Sequence, residues 1–99
     1  MARFDVYRPR AGRGLLLDCQ ANILSHLPTR AVVPLLPRAE APPPARRLNP
    51  LFVVDGRELV MTTQYVASLR LRDLGERVTT LDAYHAEIMT AFDMLLTGF

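Results

Sequence analysis

From Thr79 onward the apolar pattern of this chain changes period. Before it, hydrophobic residues alternate or run in short blocks, as in "RFDVYRP" and "RAVVPLL". After it, Leu81, Tyr84, Ile88, Ala91, Phe92 and Leu95 recur at spacings of three and four. Alternation marks strands and the wider spacing marks one face of a helix. Several strands followed by a single terminal helix, without βαβ alternation, predict an antiparallel sheet or small barrel with the helix packed on it. Thr80 or Asp82 is placed to cap the helix start, and Gly98 to end it in the left-handed region.

The strand region divides further. "RFDVYRP" reads as a half-buried strand with Phe4 and Val6 on its inner side, followed by the flexible basic loop "RAGRG". "LLLDCQANIL" reads as a second strand leading to a turn near "SHLPT". Pro34 cannot donate to a ladder, which places the third strand, "RAVVPLL", at an edge or at a bulge. The segment "PRAEAPPPARRLNP" carries five prolines and reads as a surface connection. "LFVV", Asp55-Gly56 and "RELVMTTQYV" form the clearest hairpin, because Asp-Gly supplies the positive φ angles of a two-residue turn. Its second strand is predicted to be long, and a further short strand to end near Gly75.

Ninety-nine residues, 49% of them hydrophobic, suit one domain over residues 1–99. No apolar run approaches the ~20 residues of a membrane span, and the N-terminus lacks the apolar stretch of a signal peptide. A cytoplasmic protein is expected. Charge is uneven. Residues 1–47 hold eight Arg against three acids, a net of +5, and residues 48–99 hold four Arg against seven acids, a net of −3. A basic region and an acidic helix can steer different partners.

Chemistry is sparse. His26 and His85 lie on different elements, and neither has metal-ligand spacing with Cys19 or with a carboxylate. No phosphate-cradling loop or dinucleotide fingerprint is present. Cys19 reads as a small hydrophobe inside a strand, and no metal or cofactor is expected. The helix also carries a second apolar line, Met89, Leu96 and Phe99, too wide for one core face, so part of it is expected to be exposed or covered by another chain. A protein that works by binding shows such a surface.

"FDVY", "LLLDCQANIL", "RAVVPLLP", "LNPLFVVDGRELVMTTQYVASL" and the terminal helix ending in Gly-Phe, taken in order, resemble the CcdB-type toxins of bacterial toxin–antitoxin modules. The resemblance implies a small SH3-like antiparallel β-barrel with one C-terminal helix, a scaffold shared with the MazF-like endoribonuclease toxins. It implies a homodimer without catalytic activity that binds the A subunit of DNA gyrase and traps the cleaved DNA complex. It implies neutralisation by a CcdA-like antitoxin and operator binding only as the toxin–antitoxin complex. The gyrase-binding positions it points to are Thr97, Gly98 and Phe99, with Leu96, Asp93 and Met89 on the helix and Ala21, Ile23 and Leu24 after the second strand. Well-studied members end in Trp-Gly-Ile where this chain has Thr-Gly-Phe, so a large aromatic anchor is missing. The basic residues Arg8, Arg10, Arg13, Arg46 and Arg47 are the expected seat of an acidic antitoxin segment. Two alternatives remain: an endoribonuclease on the same scaffold, for which Arg30 and Thr63 are the imaginable pair, and a gyrase-inactive homologue that keeps antitoxin binding.

Overall fold

A computed structural model describes residues 2–12 and 14–98. Among these residues, seven strands precede one α-helix. They are β1 (Asp5–Pro9), β2 (Leu15–Asp18), β3 (Thr29–Pro37), β4 (Leu51–Val54), β5 (Arg57–Met61), β6 (Ala67–Arg70) and β7 (Leu74–Thr80), followed by α1 (His85–Thr97). The antiparallel order is β4-β5-β3-β2-β1-β7, with β6 also pairing β3, and the sheet curls into a half-barrel.

The curl lets successive residues be buried on opposite faces. Val6, Leu17 and Val33 join Phe4, Leu35, Phe52, Leu59, Met61 and Leu81 beneath Ile88 and Ala91 of α1. Their neighbours Tyr7 and Val32 meet Leu74, Leu16 and Leu69 in a smaller cluster on the other side. β1 is therefore buried on both faces rather than half-buried. Asp5 tolerates this because Arg77 lies 3.2 Å away and the Ala2 amide donates to its carboxylate at 3.0 Å.

Local chemistry explains the boundaries. Val54 pairs with Arg57 across Asp55 (φ 51°) and Gly56 (φ 75°), the two-residue turn that Asp-Gly favours. β2 stops at Asp18, well short of Leu24, where Asn22–Leu24 form a 3₁₀ turn. Pro34 is neither at an edge nor at a bulge. It pairs with Leu16 on one side. On the other side β5 reaches only to Leu35 and β6 only to Val32. Pro34 thus sits where β3 changes partners, and its missing N–H faces the gap. Its carbonyl accepts from the Thr62 amide (3.0 Å) and hydroxyl (2.7 Å). That link ends β5 at Met61, and Thr63–Tyr65 turn away as 3₁₀ instead of prolonging the strand.

Gly75 does not end a strand. It lies inside β7, where a Cβ would come within 2.8 Å of the Arg8 carbonyl oxygen, so the β1–β7 approach requires glycine. Neither Thr80 nor Asp82 caps α1: a 3₁₀ turn over Asp82–Tyr84 intervenes, Tyr84 stands at the N-cap without a side-chain cap bond, and the Asp82 amide donates to Thr80 Oγ1 at 3.2 Å ahead of that turn. The helix closes at Gly98 (φ 80°), whose N–H returns to the Met94 carbonyl at 3.1 Å. Among the described residues no helix is long and apolar enough to cross a membrane.

Candidate functional site: an apolar face at the helix end

Two exposed elements converge around Arg3. The chain before β1 bends at Phe4, a bulky residue at φ 72°, where such residues rarely sit. The Phe4 amide donates to the Asp18 carbonyl at 2.6 Å, and its carbonyl accepts from the Leu81 amide at 2.8 Å. These bonds hold the bend in place. The Arg3 guanidinium lies 4.7 Å from the centre of the Phe4 ring, and His85 meets the same ring edge-on at 5.4 Å. The Arg3 amide donates to Asn22 Oδ1 at 2.8 Å, and its guanidinium N–H donates to Met89 Sδ at 3.0 Å. Arg3 therefore pins the Asn22–Leu24 turn to the side of α1. Contacts this distant in sequence leave no local signal, and sequence reasoning missed Arg3.

Asn22, which lies between Ala21 and Ile23, is thus linked through Arg3 to Met89 of α1. Ile23 is 84% exposed and Leu24 is also exposed. Asp93 and Leu96 follow Met89 at spacings of four and seven, on the same side of α1. Leu96 is 76% exposed. Met89 is half-buried against the core, so the second apolar line of the helix divides into an anchored end and a free end. Thr97 Oγ1 donates back to the Asp93 carbonyl at 2.7 Å, which fixes the last turn. Phe99 lies outside the described residues. Tyr84, read from its spacing as a core residue, is largely exposed and leans on Phe52 at 5.2 Å.

The basic residues are not gathered in one place. Arg8 pairs weakly with Glu76 at 3.9 Å and borders a hollow with Gly14, Val54 and Arg57. Arg10 borders the hollow formed by Leu16, Val32 and Leu69. Arg47 lines a groove with Pro50, Ala86, Glu87 and Thr90, next to the helix, and Arg46 is exposed beside it. Arg13 lies outside the described residues.

Arg30 and Thr63 are structural. Arg30 is 4% exposed, lies 3.6 Å from Asp18, and donates to the carbonyls of Ser25, Leu27 and Thr29. Thr63 is fully buried, with its hydroxyl donating to the Leu48 carbonyl. Neither presents a free group to a substrate. Burial holds the Asp18 carboxyl above its usual range despite the Gln20 amide and Arg30 beside it. Cys19 follows β2 rather than lying in it. Burial, with the Asp18 charge next, pushes its thiol up to about 12, the opposite of an activated nucleophile. Among the described residues no group of His, Cys, Asp and Glu could hold a metal ion.

The fold is a small antiparallel half-barrel with one C-terminal helix, whose last turn carries exposed Leu96. The chain belongs to the CcdB family: the family model described as CcdB protein matches residues 3–98. The structure is similar to that of an endoribonuclease in complex with its cognate antitoxin from a mycobacterial species, with a TM-score of 0.75 at 17% identity. That likeness covers 97% of this chain and 94% of the other, and it shows a shared fold. Comparison with curated protein sequences gives no significant match.

Proposed function

We propose that this chain is the toxin of a toxin–antitoxin module and acts by docking on the A subunit of DNA gyrase, holding the enzyme while its DNA is cleaved. The observation that carries this reading is the face joined through Arg3. Exposed Ile23 and Leu24 lie in the turn whose Asn22 is tied through Arg3 to Met89, and the same side of α1 ends in exposed Leu96. Such surfaces gain binding energy from apolar anchors entering a partner. The protein itself makes and breaks no bond in this account. It works as a cytoplasmic homodimer, and a CcdA-like antitoxin neutralises it through an acidic segment. Because Arg8, Arg10 and Arg47 border three different hollows, a segment that meets them all is extended. Operator DNA is bound only by the toxin–antitoxin complex.

The similarity to an endoribonuclease favours a second reading, RNA cleavage on the same scaffold. Burial of Arg30 and Thr63 removes the pair that sequence reasoning put forward for it. A gyrase cleavage-trapping assay run beside an RNA-cleavage assay separates the readings. Trapping that is lost with residues 97–99 supports the proposal, and RNA cleavage by the purified chain refutes it. Silence in both, with antitoxin binding kept, marks a gyrase-inactive homologue.

A further inference from the structure

A second unpartnered surface lies around β6. This strand pairs only with β3, from Thr29↔Arg70 to Val32↔Ala67. Among the described residues nothing pairs with its outer edge, which leaves a row of main-chain donors and acceptors open. Exposed Tyr65, Val66 and Leu71 flank it, three large apolar side chains within seven residues. A hollow of about 540 Å³ opens beside its end, lined by Pro28, Thr29, Arg70, Leu71 and Arg72. The Leu71 amide closes that end by donating to the Pro28 carbonyl at 2.9 Å. A second hollow, of about 450 Å³, includes Val32, Pro34, Ala67 and Leu69. Side chains alternate along a strand, so one added against β6 would direct residues toward both hollows. Arg70 and Arg72 are exposed, and neither has a carboxylate within 4.0 Å among the described residues.

We propose that the β6 edge receives an extended acidic peptide segment of a partner protein by strand addition. Its main chain pairs with Ala67–Arg70, one apolar side chain enters the hollow beside Leu71, and its carboxylates meet Arg70 and Arg72. Peptide fits better than nucleic acid, because a strand edge offers acceptors as well as donors and the hollow is mainly apolar, whereas phosphates need donors alone. Arg10, one of the residues expected to meet an antitoxin, borders the second hollow, whereas Arg8, Arg46 and Arg47 line neither; the proposal does not rest on the gyrase or antitoxin readings.

The test is fluorescence anisotropy with a labelled peptide of about ten residues, glutamates flanking a central Leu-Val pair. Its controls are the Gln-for-Glu peptide, an N-methylated version and a labelled oligouridylate of similar length. The acidic peptide is expected to bind saturably. Arg70→Gln with Arg72→Gln should weaken it about tenfold, and Arg8→Gln less than about twofold. The Gln peptide should lose about as much as the double variant, and N-methylation should abolish binding. Exposed Arg70 and Arg72 can be replaced without unfolding the chain, and thermal denaturation of the double variant checks this. Equal binding of the Gln or N-methylated peptide would overturn the proposal. So would tighter binding of the oligouridylate, or displacement of the peptide as rising protein concentration pairs β6 with a second copy.

Discussion

Replacing Gly75 with alanine should destabilise the fold even though it adds only one methyl group. Gly75 does not occupy the left-handed region, so backbone strain plays no part. The cost is steric. The new Cβ would stand 2.8 Å from the Arg8 carbonyl oxygen and 3.5 Å from that of Pro9. The first distance is about 0.5 Å short of the ~3.3 Å at which carbon and carbonyl oxygen normally meet. The obstacle is backbone, which cannot rotate aside as a side chain would. Relief requires β1 and β7 to part where Arg77 pairs with Tyr7 and Leu74 with Pro9. Overpacking of this kind costs about 1–3 kcal/mol. Alanine returns about 0.4–1 kcal/mol by narrowing the unfolded ensemble. A net loss of about 1–2 kcal/mol follows, and at ~4–8 °C per kcal/mol the Tm should fall by about 5–15 °C. Thermal unfolding followed by circular dichroism, with a guanidinium titration, measures it. A Tm equal to or above that of the wild type would show that β1 and β7 are not held so closely, and the reasoning would fail.

The buried Asp18–Arg30 pair makes a pH-dependent prediction. The folded state raises the Asp18 pKa above 3.8, so ionising it opposes folding: this group favours the fold most below that value and progressively less as pH rises. Arg30→Met removes its counter-charge and should cost about 3–5 kcal/mol at pH 7. The loss should shrink toward pH 4, and denaturation at both pH values checks this. The folded protein should resist a thiol-disulfide reagent at Cys19 at pH 8 and react promptly once unfolded, because its thiol is pushed up to about 12. Fast labelling of the native protein would contradict that. Thr80→Val should lower stability by about 0.5–1 kcal/mol, since it removes the acceptor that the Asp82 amide uses at the turn before α1. An unchanged guanidinium midpoint would mean that this bond does not stabilise the turn ahead of the helix.

Most of the architecture was legible because it rests on local rules. Period, the Asp55-Gly56 turn and the left-handed Gly98 are written in neighbouring residues, and each appears where expected. What stayed hidden depends on contacts between distant segments. Pro34 looked incompatible with a central strand, since nothing local reveals that β3 exchanges β5 for β6 beside it. β7 was missed because Gly75 resembles a stop signal, whereas its role is to let the Arg8 carbonyl approach. Half of the candidate face was readable from the extra apolar line on the helix. Arg3, which ties that line to the Asn22–Leu24 turn, was not, because its partner Met89 stands 86 positions away.

Binding of the gyrase A subunit to the immobilised protein tests the docking account most directly. The wild type, Leu96→Ser, Ile23→Ser and a chain ending at Leu96 are compared. Ile23 and Leu96 are exposed, so the two substitutions should leave stability within about 0.5 kcal/mol. Each should still weaken binding by about tenfold or more, and the shortened chain should lose it. Full affinity in all three altered chains would contradict the claim that this protein acts through its helix end.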